Sequence, residues 1–218
     1  MGAPSRDRLL AALGEVIRDR RVMEAMAAVP RECFVPEAHR HEAWVNAPLP
    51  IGRGQTISQP FVVAHMCELL ELRGDETVLD VGTGSGYHAA VLSRLARRVV
   101  SIERHPSLSE WAAANLRAAG IAEVALVVGD GTGGHPPEAP YDAINVAAAS
   151  AAGVPPALEE QLADGGRLVI PAGDGTQRLV RVRRTGDRLV REELGEVRFV
   201  PLVPGEGSAA GSSDAAGG

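Results

Sequence analysis

The sequence predicts an α/β protein with a mostly parallel, doubly wound sheet, N-terminal helices and a C-terminal antiparallel hairpin. Three observations carry this. Five short apolar runs alternate with helical segments between residues 77 and 171. The first run leads into a turn with three alternate glycines, VLDVGTGSGYHAAVL (78–92). After residue 171 the helical segments stop and strand-like runs follow one another directly. Strand–helix alternation implies crossover connections, and these bury both faces of a parallel sheet.

Residues 7–28 place apolar side chains at helical spacing (Leu9, Leu10, Leu13, Val16, Ile17, then Val22, Met23, Met26) and predict one or two helices. Residues 30–60 are rich in Pro and Gly without a clear period, so a long ordered loop is expected; such loops are more often functional than idle. PFVVAHMCELLEL (60–72) predicts a helix with Pro60 near its start. Strands are expected at 77–81, 98–102, 124–128, 141–146 and 166–171, with helices at 86–96, 106–119 and 155–163 between them. QRLVRVRRTGDRLVREEL reads as two strands joined at Thr185-Gly186-Asp187, and EVRFVPLV (196–203) as a further strand. The expected divisions are N-terminal helices and a covering loop (1–60), a nucleotide-binding core (61–204) and a disordered tail (205–218), which is too small and polar to pack.

No run of about 18 apolar residues is present, so no membrane span is expected. A net charge of −6 argues against non-specific nucleic-acid binding. The N-terminus lacks the pattern of a secretory signal, and a cytoplasmic protein is expected. Cys33 and Cys67 have neither disulfide-framework nor metal-ligand spacing, and the His39-x-His41 pair lacks partners, so no metal is expected.

The glycine loop reads Asp80-x-Gly82-Thr83-Gly84-x-Gly86. A dinucleotide fingerprint needs its third Gly at position 87, which is Tyr. Asp80 would also repel a pyrophosphate approaching the helix N-terminus. S-adenosylmethionine (SAM) has no phosphate and carries a sulfonium and an ammonium, which suit a carboxylate beside close-approach glycines. Glu103, seventeen residues past Gly86 at the end of the second strand, has the reach to accept from both ribose hydroxyls. Asp130-Gly131, after the third strand, is placed for the adenine edge.

Further segments, in order, resemble the protein-L-isoaspartate O-methyltransferase family: VPRECFVPE (29–37), LPIGRGQTISQPFVVAHMCELLEL (49–72), VVSIER (99–104), GDG (129–131), YDAINVAAA (141–149), VPPALEEQLADGGRLVIPAG (154–173) and VRFVPLV (197–203). The resemblance covers roughly residues 20–203, and GQTISQP is its most specific part. It implies a Rossmann-like methyltransferase fold. It implies a SAM-dependent enzyme, releasing S-adenosylhomocysteine (SAH), that methylates the α-carboxylate of isoaspartyl residues in proteins or peptides. The ester closes to a succinimide whose hydrolysis restores some normal aspartate. By the same resemblance Ser58 positions the substrate carboxylate. Gln55, Thr56, Ile57 and Arg104 join the cofactor-binding set, and Ile57, Arg53 and Val203 join Ser58 on the substrate side. A monomer is expected.

The chain departs from the family pattern after residue 146: Ala147 stands for a Thr, Ala151 for a Pro and Ala152 for an acid. That leaves open a variant acting on an aspartate of a dedicated ribosomal precursor peptide. A non-catalytic nucleotide-binding protein is the reading from another class. Asn145, polar in an apolar strand, is either a satisfied core residue or a substrate contact. Tyr87 is expected to pack in the core.

Overall fold

The computed structural model describes residues 5–203; the expected tail at 205–218 lies outside them. Helix α1 (Arg6–Gly14) starts at Ser5, whose side chain accepts from the Arg8 amide, and α2 (Arg20–Ala28) starts at Asp19, which accepts from Arg21. These caps satisfy amides that the first helical turn leaves unpaired. Glu68 then accepts from the amides of Arg18 and Asp19 and ties this connection to α3 (Pro60–Leu69).

Residues 30–60 contain more order than a loop. Two 3-10 turns (Arg31–Phe34, Glu37–Glu42) precede an antiparallel hairpin of β1 (Leu49–Gly52) and β2 (Gln55–Ile57). Its turn has three successive left-handed residues, Gly52, Arg53 and Gly54. The strands are too short for their alternation to stand out in sequence.

The main sheet has seven strands in the order β5-β4-β3-β6-β7-β8-β9: β3 (Thr77–Val81), β4 (Arg98–Glu103), β5 (Val124–Val128), β6 (Tyr141–Val146), β7 (Leu162–Ala172), β8 (Gln177–Thr185) and β9 (Arg188–Val197). β3 to β7 are parallel, and β8 and β9 add an antiparallel hairpin. Helices α4 (Tyr87–Leu92), α5 (Pro106–Ala118) and α6 (Pro156–Glu160) lie on the crossovers. Alternate residues of the central strands serve two cores. Val78, Val99 and Ala143 pack toward α2–α5, while Leu79, Val100 and Ile144 pack on the face that includes Leu158 of α6.

Two expected elements differ. The helix expected at 155–163 ends at Glu160. Its neighbour Gln161 accepts from the His135 amide and donates to the carbonyls of Gly133 and Ala157, and Leu162 already begins β7. The strand expected at 196–203 is the end of β9 followed by a segment with one isolated bridge, Pro201 to Ala149. That segment is held by Ala149 N–H to the Val200 carbonyl and Leu202 N–H to the Ala149 carbonyl, at 2.8 and 2.7 Å. It is thereby laid across the carboxyl ends of the parallel strands. Strand order reverses at β3, and in open α/β sheets ligands bind at the carboxyl ends beside such a reversal.

Candidate active site

A cleft of about 810 Å³ opens at the carboxyl ends of β3 and β4. Much of its wall comes from four places: β2 and the residue after it (Gln55 to Ser58), the glycine loop (Gly82 to Ser85), the end of β4 and the two residues after it (Glu103 to His105), and Ala147 with the 200–203 segment.

The glycine loop takes its shape from left-handed residues: Gly82, Gly84 and Gly86 have φ of 93°, 54° and 89°. A side chain is strained in that region. At Gly86 a β-carbon would also lie 3.3 Å from that of Ala112, so the glycine lets α4 pack against α5. Glu103 is buried and lines the cleft. Its Oε2 accepts from the Gly84 amide at 2.9 Å and its Oε1 from the His105 amide at 3.0 Å. Each oxygen keeps lone-pair capacity for a hydroxyl. Gly131 forms part of the wall; a β-carbon there would meet Val81 Cγ1 at 2.5 Å.

Other expected site residues fall differently. Asp80 is completely buried and does not line the cleft. Its carboxylate accepts from Ser101 Oγ and Asn145 Nδ2, both at 2.7 Å, behind the loop. Asp130 accepts from the amide and hydroxyl of Thr132 and so caps the turn that presents Gly131; it is not among the lining residues. Arg53 is exposed on the β1–β2 turn and sits outside the cleft, in a shallow depression with Arg104 and His105. Arg104 and Val203 line the cleft. Tyr87 is buried, with its hydroxyl donating to Met26 Sδ, and its ring reaches the cleft floor. Burial pushes its pKa up to about 12.

A second, more apolar groove is lined by residues that include Pro48, Phe61, Val62, Val197 and Phe199. It meets the first cleft at Thr56, Ser58, Ala147 and Val200, which line both. Ser58 therefore stands at the junction, and so does Ala147, one of the departures from the family pattern. Within the described residues the Ser58 hydroxyl has no hydrogen-bond partner, whereas its carbonyl is gripped from behind by Arg31 Nη2 at 2.8 Å.

Reasoning from sequence did not single out Arg31. Its guanidinium is fully buried, donates from Nε to the Ala43 carbonyl at 2.8 Å and lies 4.6 Å from the Tyr87 ring centroid. Burial lowers its pKa. The signal was present in VPRECFVPE, where Arg31 opens a 3-10 turn bounded by buried Val29 and Phe34, but charge alone reads as surface.

The arrangement fits SAM. Gly82, Gly84 and Gly131 form part of the cleft wall with backbone alone, and Glu103 lines it with a carboxylate.

Comparison with known proteins agrees. The model of the family described as Protein-L-isoaspartate(D-aspartate) O-methyltransferase matches residues 6–207. The chain is 54% identical over 194 residues to protein-L-isoaspartate O-methyltransferase 1 of Rhodopseudomonas palustris, covering 88% of this chain and 79% of that one. It is 48% identical over 207 residues to the protein-L-isoaspartate O-methyltransferase of Vibrio atlanticus, covering 94% and 99%. Among solved structures it resembles one titled protein-L-isoaspartate O-methyltransferase, with TM-score 0.80 and 31% identity over 90% of this chain and 65% of that one. It also resembles a Plasmodium falciparum protein described as a protein-L-isoaspartate O-methyltransferase and solved in complex with SAH, with TM-score 0.75, 26% identity, and coverage of 90% and 97%. The chain belongs to the protein-L-isoaspartate O-methyltransferase family.

Proposed function

We propose that this chain transfers a methyl group from SAM to the free α-carboxylate of isoaspartyl residues in proteins and peptides. The observation that carries the reading is the junction at Thr56, Ser58, Ala147 and Val200 between a glycine-walled cleft and an apolar groove. One holds the cofactor and the other an extended peptide segment. Gly82, Thr83, Gly84, Glu103 and Gly131 would hold SAM, with Gln55 to Ile57 closing over it. When bound, SAM supplies an electrophilic methyl group on a sulfonium.

A carboxyl group with pKa near 4 is already ionised at neutral pH and needs no general base. The protein's work is placement and partial desolvation of two charged reactants. Ser58 orients the carboxylate at the junction, and Phe61, Val197 and Phe199 keep water from its flank. An O–CH₃ bond forms as the S–CH₃ bond breaks, and no proton moves. The neighbouring backbone nitrogen later displaces methanol without help from the enzyme. Mass spectrometry of an isoaspartyl peptide should show gain of one methyl and then loss of methanol. A stable ester with no ring closure would contradict this assignment.

Gly131 tests the cofactor side. Gly131→Ala drives a β-carbon into Val81, a stiff β-branched residue in the core, so the wall must move. Overpacking of this kind costs about 1–3 kcal/mol. Calorimetry should show SAH affinity reduced about ten-fold, the equivalent of about 1.4 kcal/mol. Unchanged affinity would remove Gly131 from the site.

The chain acts as a cytoplasmic monomer in this reading. Among the described residues no helix is long and apolar enough to cross a membrane. One edge strand of the sheet, β9, carries Arg188, Arg191, Glu192, Glu193 and Glu196, charges of the kind that discourage strand pairing between molecules.

A further inference from the structure

A row of polar side chains crosses the buried middle of β4, β3 and β6. Ser101 of β4, Asp80 of β3 and Asn145 of β6 are laterally in register, and all three are fully buried. The row continues at both ends. Thr83 of the glycine loop is hydrogen-bonded to Ser101 Oγ at 2.6 Å. Asn145 Nδ2 lies 3.2 Å from His88 Nδ1, and His88 Nε2 lies 3.5 Å from Cys67 Sγ.

The network assigns its own protons. Asn145 Nδ2 has two hydrogens, and its two neighbours are the Asp80 carboxylate and His88 Nδ1. His88 is then the neutral tautomer that accepts at Nδ1 and carries its proton on Nε2, toward sulfur. Burial agrees, pushing the His88 pKa down to about 3. The opposite face of the amide is left over: Asn145 Oδ1 is buried with no partner among the described residues. An orphaned acceptor costs about 1–3 kcal/mol. Leu would remove that orphan but would leave Asp80 Oδ1 and His88 Nδ1 without their donor, so the amide is explained by the groups it donates to. Without it Asp80 keeps only Ser101.

We propose that Asn145, oriented by His88, is a positioning residue for the cofactor: it keeps Asp80 ionised behind the glycine loop, where a fixed negative charge favours the cationic SAM over neutral-sulfur SAH. The inference rests on the methyltransferase reading above. It explains why a polar residue stands in an apolar strand, and it gives Asp80 a role although it does not touch the cleft.

The sign of the pH dependence follows from what faces Asp80. Burial raises its pKa to about 6, opposed by the hydrogen bonds from Ser101 and Asn145 and aided by the charge of Glu103 further along β4. His88 of α4 is neutral, and the Cys67 thiol of α3 is held protonated by burial. Asp80 is therefore the group whose charge changes between pH 5 and 8 in this network. The preference for SAM is present above about pH 6 and is lost as pH falls through it.

Calorimetric affinities for SAM and SAH between pH 5 and 8 test this. In the unsubstituted chain the SAM-to-SAH affinity ratio should fall as pH drops through about 6. Asp80→Asn keeps the shape without the charge and should remove the inflection. Asn145→Leu removes one hydrogen bond to the charged form. It should move the inflection up by about one pH unit and lower the ratio at pH 7 up to about two-fold. Equal weakening of both ligands with an unmoved inflection would show a purely structural Asn145 and overturn the proposal. Failure of the unsubstituted chain to bind either ligand would overturn the methyltransferase reading and this inference with it. An unsubstituted chain that binds both ligands but methylates no peptide leaves the affinity ratio to decide the inference separately.

Discussion

Ser58→Ala should lower turnover on an isoaspartyl peptide about 10²-fold, the loss expected when a reacting group is misplaced by about 1 Å. SAH affinity should stay within about two-fold of the parent. Ser58 lies just past β2 and just before Pro60, the first residue of α3, so both flanks are fixed by regular structure. Its carbonyl is held by Arg31, and its hydroxyl has no partner among the described residues. A hydroxyl that contributes nothing to the fold, placed where two cavities meet, is available to a substrate carboxylate. Removing it leaves the glycine loop, Glu103 and Gly131 untouched, so the cofactor side should persist. Steady-state kinetics with calorimetry reads both quantities. Equal loss of SAH binding would move Ser58 from the substrate to the cofactor.

Arg31→Ala should be the most destabilising single change near the site, by about 3 kcal/mol or more. Two opposing effects decide the size. Among the described residues the buried guanidinium has no carboxylate within ion-pair distance and its Nη1 has no partner, so deleting the charge recovers desolvation free energy. Against that, the Ala43 and Ser58 carbonyls lose their donor in a buried place, and the space beside Tyr87 empties. Orphaned carbonyls cost about 1–3 kcal/mol each and the cavity adds to them, so destabilisation wins. For a chain of this length that lowers Tm by about 6–12 °C. Arg31→Met fills the space and removes the charge, so its loss should be smaller. Thermal unfolding of the two variants checks the order. Arg31→Met no more stable than Arg31→Ala would show that filling the space beside Tyr87 is not what the fold needs there.

The parallel core was legible because its strands are buried on both faces and read as near-continuous apolar runs: TVLDV, RVVSI and YDAINV coincide with β3, β4 and β6 apart from one residue at the end of β4. The same property hid the polar row. Asp80 and Asn145 were visible as exceptions, but that they pair with each other is a matter of register, which no single strand reveals. The β1–β2 hairpin was missed because its strands are four and three residues long. The end of β9 was misplaced because EVRFVPLV has strand composition throughout, while Phe199 is engaged by the Gln177 side chain and the chain turns toward Ala149. At the site, the residues flagged by chemical type lie at different depths. Glu103 lines the cleft, whereas Asp80 and Asp130 do not. Depth depends on how neighbouring strands stack, and spacing along one strand does not encode it.

The central claim is that the junction at Ser58 methylates an isoaspartyl carboxylate. Transfer from methyl-labelled SAM to a matched pair of short peptides, one with isoaspartate and one with aspartate at the same position, tests it directly. The account predicts base-labile methyl ester on the isoaspartyl peptide and background on its partner. Labelling of neither peptide by a chain that binds SAH, or of both equally, would contradict it.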